Sequence, residues 1–190
     1  SWDWSPRLQN CGIQGGARLE WLAPSTVLRP DQFVPLATVS DDLQKGTVRL
    51  RLFVENVSDK PVKATLTGML PDQKVTTKAD VELKPGLHAV ETSVSLDNPD
   101  LWWPVGHGAQ PLYKAKVTLR VGDELVHSES RFVGFRKVRV VRDKPLDSAG
   151  GELYRFEINN RPIFCKGGNY VPSDLITARI TPVRHRQLVD

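Results

Sequence analysis

The sequence has little sulfur: two cysteines, Cys11 and Cys165, and one methionine in 190 residues. The cysteines lie far apart and fit no metal-ligand spacing, and the four histidines are scattered, so no metal site is expected. Nothing in the pattern supports a bridge between Cys11 and Cys165, and two buried free thiols is the preferred reading. Long apolar runs are missing, so no membrane-spanning helix is expected. The opening residues are neither basic nor followed by an apolar stretch, so no signal peptide is visible at Ser1. Net charge is modest, at +4. Its densest basic spots are "RLRLF", "GFRKVRVVRD" and "RHRQ". The first two alternate with apolar residues, as the solvent face of a strand does, and no nucleic-acid motif accompanies them. Neither a nucleic-acid nor a membrane partner is expected. Amphipathic helices are also nearly missing, which excludes bundles and α/β folds.

What is present is alternation. In "TVRLRLFVENV", Val48, Leu50, Leu52 and Val54 share one face, while Thr47, Arg49, Arg51 and Phe53 share the other. "VKATLTGML", "VTTKADVEL", "HAVETSVSL" and "LYKAKVTLRV" repeat the pattern. Turn chemistry separates them at "VSDKP", "LPDQK", "LKPGL", "DNPD" and "VGDE". Short strands at this spacing predict an all-β, immunoglobulin-like antiparallel β-sandwich, flanked by pieces of neighbouring domains. The span from Leu19 to Arg131 contains no cysteine pair, so the sandwich lacks an inter-sheet disulfide.

The ends differ in character. The chain opens on "SWDWSPR", in which two indoles flank a carboxylate. Aromatic faces pack on the C–H faces of pyranose rings, and a carboxylate accepts bonds from sugar hydroxyls. The same residues also suit a strand packed at a domain joint. Near the other end, "YRFEI" and "PIFCK" flank "NNR". There Asn159–Asn160 can take the positive φ of a tight hairpin turn. A buried strand is expected to run from this hairpin into "GGN". In "TPVRHRQLVD", Thr181 is the expected N-cap and Pro182 the first residue of a helix.

Three motifs together resemble a known family. "SWDWSPRLQNCGI" resembles the Trp-Asp-Trp-Gly-Pro signature of β-mannosidases in glycoside hydrolase family 2. "NPDLWWPVGHGAQPLY" looks like that family's Leu-Trp-Trp-Pro segment. "FEINNRPIFCKGGNYVPSD" looks like its approach to the first strand of a TIM barrel. Ser5 and Asn160 stand where glycine is usual, and Tyr170 stands where tryptophan is common.

The resemblance implies a division into 1–18 (tail of a sugar-binding jelly roll), 19–141 (the sandwich) and 142–190 (linker, hairpin and start of a catalytic barrel). The chain is then expected to be the middle of a longer retaining exo-β-mannosidase. Two carboxylates about 5 Å apart do such chemistry. In the family both are glutamates on later barrel strands, so no catalytic residue is expected here, and no cofactor. By resemblance, Asp3 and Trp2 hold a terminal β-linked mannose in the full-length parent, joined by Asn169, Tyr170 and Asp174 after the first barrel strand. The plainer alternative gives Trp2 and Trp4 to packing at a domain interface, Asp3 to capping a turn, and Asn169, Tyr170 and Asp174 to loop hydrogen bonding. Trp102–Trp103 is read as a plug at the end of the sandwich core or at a joint, and His107 as a surface loop residue. "NVS" at Asn56 has the form of a glycosylation acceptor. The expected partners are the β-mannoside and the intramolecular jelly-roll and barrel domains. A free-standing carbohydrate- or protein-binding sandwich, or a piece of a β-glucosaminidase, β-galactosidase or β-glucuronidase, is the competing expectation.

Overall fold

The computed structural model of the chain describes residues 12, 17–19, 21–23, 25–143, 153–174, 176 and 179–189. The chain divides into two compact units, Ala23–Cys165 and the stretches Ser1–Leu22 with Lys166–Asp190.

The first unit is built on a seven-stranded antiparallel sandwich. One sheet has the order β1-β2-β5, with β1 Leu28–Val39, β2 Lys45–Asn56 and β5 Gly86–Asp97. The facing sheet has the order β4-β3-β6-β7, with β3 Val62–Leu70, β4 Val75–Leu83, β6 Tyr113–Val121 and β7 Glu124–Val133. Alternation sets the packing. Val48, Leu50, Leu52 and Val54 of β2 are fully buried, as the period of two requires, and they join Leu66, Leu70, Val117 and Leu119 of the opposite sheet in one core. Each such side chain contributes roughly 1.5–3 kcal/mol by leaving water. Arg49 and Arg51, one residue out of phase, stand on the outer face and pair with Glu91 of β5. The sheets approach closely at Gly68. A Cβ there would collide with the Leu50 side chain and come within 2.7 Å of Thr92 Cγ2.

Two strands lie outside the expected set. β1 carries Pro30 and Pro35, which argue against a central strand. It is an edge strand, where a missing N–H is tolerated, and its ladder shifts register between Pro30 and Phe33. β7 is the polar edge of the other sheet.

Turns follow their residues. Lys74 after the 3₁₀ turn Pro71–Gln73, Gly86, Asn98 and Gly122 take positive φ in or beside the segments read as turns, while Leu43 and Gly106 do so outside them. Asn56 is 98% buried, since its exposure is 2%. Its Nδ2 donates to the Lys60 carbonyl at 2.7 Å and the Leu83 carbonyl at 2.8 Å. Its Oδ1 accepts from the Ser58 N–H and hydroxyl. The apparent glycosylation acceptor is thus a staple between two turns.

A second, small antiparallel sheet has the order β10-β9-β8, with β8 Val138–Asp143, β9 Leu153–Ile158 and β10 Arg161–Ile163. It therefore straddles residue 141. The hairpin turn is the two-residue type with both φ positive, Asn159 at 50° and Asn160 at 63°. The expected buried strand beyond it is shorter than the sequence suggests. Ile163 is buried, but Phe164 is 80% exposed and Cys165 is an exposed free thiol, not a buried one. The reason is that β10 has β9 alone as its ladder partner among the described residues, and the pairing ends at Ile163. Cys11 lies outside the described residues.

In the second unit, helix α1 spans Pro182–Val189. The Thr181 hydroxyl accepts the Arg184 N–H at 3.2 Å, the expected N-cap bond, with Pro182 at the first helical position.

Two predictions rest on this packing. Leu50→Ala should lower unfolding free energy by about 2–5 kcal/mol in urea titration, while Lys116→Ala on the outer face should stay within about 0.5 kcal/mol. Secreted from a eukaryotic host, the folded chain should carry no glycan at Asn56 by peptide mass mapping. A glycan there would require four hydrogen bonds to be lost.

Candidate functional site

Of the five residues expected to touch substrate, Asp3 and Trp2 lie outside the described residues, as does Trp4. Asn169, Tyr170 and Asp174 sit together on the exposed loop between β10 and α1. Asp174 Oδ1 accepts the Ile176 N–H at 2.8 Å, closing a tight local turn. The Tyr170 hydroxyl accepts the Ser173 N–H at 3.2 Å and lies 3.3 Å from the Ser173 hydroxyl. Its ring is half exposed, with its centroid 5.9 Å from that of His185 on α1. Two of the three side chains thus shape the loop, and the face of Tyr170 and the amide of Asn169 stay accessible to a polar ligand.

The better-defined constellation lies at one end of the sandwich, around Trp102 and Trp103. Trp102 is fixed from the core outward. Phe135 is fully buried, meets Tyr113 edge-on at 4.9 Å, and accepts the Trp102 N–H on its carbonyl at 2.8 Å. The Tyr113 hydroxyl accepts the Asp100 N–H at 2.8 Å. Guanidinium groups cover the two indoles. Arg136 lies 4.7 Å from the Trp102 ring centroid and Arg161 lies 4.2 Å from that of Trp103. Both indoles are therefore committed to packing on at least one face, in accord with the plug reading. His107 serves through its backbone, its carbonyl accepting from Arg161 at 2.6 Å.

The hairpin turn meets this end. The Asn159 N–H donates to the Lys137 carbonyl, its Oδ1 accepts the Lys137 N–H, and its Nδ2 donates to the Trp102 carbonyl. Asn160 Nδ2 reaches the Asp41 carbonyl at 2.9 Å, and Lys137 Nζ reaches the Asp41 carboxylate at 2.6 Å. That hydrogen bond and the lysine charge hold the Asp41 carboxyl below its ordinary range. The side-chain roles of Asn159, Arg136 and Arg161 were not legible in the sequence. "NNR" announces a turn, but turn chemistry alone does not say that a side chain will be buried.

An open groove of about 510 Å³ runs along the side of the sandwich, lined by Pro35, Leu36, Trp102, Leu112, Arg136 and Val138. Among the described residues no cluster of three or more His, Cys, Asp or Glu side chains could hold a metal ion. Of the glutamates, Glu55, Glu91, Glu129 and Glu157 are paired with arginines. No described helix is long and apolar enough to cross a membrane.

Fold and connectivity define an immunoglobulin-like antiparallel sandwich with a small second sheet at its exit. Residues 31–136 match the model of glycosyl hydrolases family 2, and the chain belongs to that family. It is 31% identical to a β-mannosidase B of Thermothelomyces thermophilus over 97% of this chain and 20% of that protein. It is 29% identical to a β-mannosidase of Rattus norvegicus over 95% of this chain and 20% of that one. The chain thus spans about one-fifth of the length of these relatives. Among solved structures, a β-D-mannosidase from Dictyoglomus thermophilum shares the fold with a TM-score of 0.69 and 24% identity, covering 85% of this chain and 20% of that one. The exo-chitosanase CsxA of Amycolatopsis orientalis shares it at 0.60 and 24%, covering 77% of this chain and 16% of that one. The fold alone therefore does not choose the sugar.

The Asp41 contact gives a pH signature. A depressed carboxyl contributes stability above its unfolded value, near pH 4, and loses it as pH falls through the lower folded value. Asp41→Asn should therefore melt slightly below the parent at neutral pH, and the difference should vanish in acid. The effect is small because the carboxylate is fully exposed. A difference that grows on acidification would contradict the assignment.

Proposed function

We propose that this chain is the central, non-catalytic portion of a retaining exo-β-mannosidase that removes terminal β-linked mannose. The carrying observation is identity near 30% to β-mannosidases across nearly the whole chain, not across the sandwich alone. In this reading residues 1–18 close a jelly roll, 19–141 form the spacer sandwich, and 142–190 lead through linker and hairpin into a catalytic barrel. The catalytic carboxylates belong to later barrel strands, the face where such barrels carry their chemistry.

Asp3 is assigned to the hydroxyls of the terminal sugar, because a charged acceptor makes stronger hydrogen bonds than a neutral one. Trp2 walls the pocket. Asn169, Tyr170 and Asp174 contribute to its rim: the first two offer accessible polar and aromatic groups, and Asp174 holds the loop turn. The arginine-paired glutamates support a structural role for the sandwich, since each is already committed to a cation. The groove, with Leu36, Leu112 and Val138 partly exposed along it, suits contact with further domains of the same polypeptide.

A second reading, a β-glucosaminidase of the same architecture, draws on the fold likeness to the exo-chitosanase. A panel of aryl β-glycosides separates the two. The longer protein should hydrolyse the β-mannoside with the highest kcat/KM, and this chain alone should hydrolyse none. Preference for the β-glucosaminide would replace the first reading by the second. In the longer protein, Asp3→Ala should lower kcat/KM by about 10- to 100-fold, the worth of a charged hydrogen bond. Glu91→Ala, on the outer face of the sandwich, should stay within about twofold. Equal and negligible losses would remove Asp3 from the site.

A further inference from the structure

We propose that Asn159 is a positioning residue that keys the β9–β10 hairpin into the end of the sandwich, so that the strand leaving the hairpin starts from a fixed point and direction on that body. The consequence for catalysis rests on the hydrolase reading above; the key itself does not.

The turn does not need asparagine. A two-residue turn with both φ positive accepts asparagine or glycine at its first position, so turn chemistry alone does not account for a buried side chain there. Asn160, its neighbour, is exposed, whereas Asn159 is only 4% exposed. A buried carboxamide is unfavourable unless its donors and acceptor are matched. Here its Oδ1 accepts the Lys137 N–H at 2.9 Å and its Nδ2 donates to the Trp102 carbonyl at 3.1 Å. Its own N–H donates to the Lys137 carbonyl at 2.9 Å, so Asn159 and Lys137 grip each other in both directions.

The groups it holds are themselves anchored. Trp102 is tied to Phe135, which is fully buried in the sandwich core. Lys137 is two residues from Phe135 and begins the segment into β8. The path from core to hairpin is thus Phe135, Trp102, Asn159, with no solvent-exposed side-chain link in it. The next two residues widen the grip, Asn160 onto Asp41 and Arg161 onto His107 and the Trp103 face. Three consecutive residues, the two of the turn and the first of β10, hold three separate segments: Asp41, the Trp102–His107 loop and Lys137.

The alternative is that apolar burial of Val141, Ile158 and Ile163 holds the small sheet and Asn159 merely makes the turn. The two accounts differ in what glycine does at 159. Hydrogen exchange by mass spectrometry on the full chain separates them, read at residues 153–165 with β2, β3 and β6 as internal reference. Asn159→Gly should speed hairpin exchange about tenfold or more, the loss of paired buried groups, and leave the reference strands unchanged. Asn159→Asp is nearly isosteric, keeps an acceptor for Lys137 and loses the donor to Trp102, and should also lose protection. Asn160→Gly should change exchange by less than about threefold, because its single side-chain bond is exposed. Parental protection in both Asn159 variants overturns the proposal.

In the longer hydrolase, assayed well below its melting temperature, Asn159→Gly should lower kcat about tenfold or more with KM within about twofold, as misplaced reacting groups do. A lower melting temperature with kcat unchanged would make Asn159 a stability residue and overturn the positioning role. If the longer protein cleaves no β-mannoside while the exchange pattern holds, the hydrolase reading falls and the key stands.

Discussion

The buried amide of Asn159 is the contact on which the arrangement of the first unit turns. Without it the small sheet would be held to the sandwich by chain connection, a few apolar side chains and the more exposed contacts of Asn160 and Arg161. With it, the Lys137 backbone and the Trp102 carbonyl are both satisfied at one point, and the small sheet is referenced to the core through Phe135. Hydrogen bonds suit this task better than apolar contact, because they fix direction as well as distance. The indoles of Trp102 and Trp103, each under a guanidinium group, stand beside the joint, and Asn159 is 4% exposed.

A rigid joint at that place has a functional sense in a family 2 glycoside hydrolase. Arg49 and Arg51 of the sandwich pair with Glu91 on the outer face, and a guanidinium group covers one face of Trp102 and of Trp103. On the proposed reading the value of the sandwich is geometric. Retaining glycosidases hold two carboxylates at a set separation around a sugar bound in a set orientation, and errors of about an ångström are expensive. A spacer that flexes at its exit would be a poor platform for such a site.

The strands of the central sandwich were plain in the sequence because polar and apolar residues alternate cleanly along β2, β3, β4 and β6, with turn residues between. β1 was not, since Pro30 and Pro35 mimic a loop until its edge position is known. The hairpin at Asn159–Asn160 and the N-cap at Thr181 were legible because each depends on residues a few positions apart. The role of the Asn159 side chain was not, because its partners lie 22 and 57 residues away. The exposure of Cys165 is hidden in the sequence for a similar reason: apolar neighbours in sequence do not say whether a strand has a partner on both sides. Of the proposed sugar-binding residues, Asn169, Tyr170 and Asp174 share one loop, which adjacency in sequence already required. What joins them to Asp3 and Trp2 is the family pattern, not local physics.

The most direct test of the account is a crystal structure of the longer protein with a mannose-configured inhibitor bound. The account predicts an Asp3 carboxylate oxygen at about 3 Å from a hydroxyl of the terminal sugar, with the Asn159 contacts to Lys137 and Trp102 intact. A sugar bound with Asp3 far from it, or the hairpin detached from the sandwich end in that complex, would contradict it.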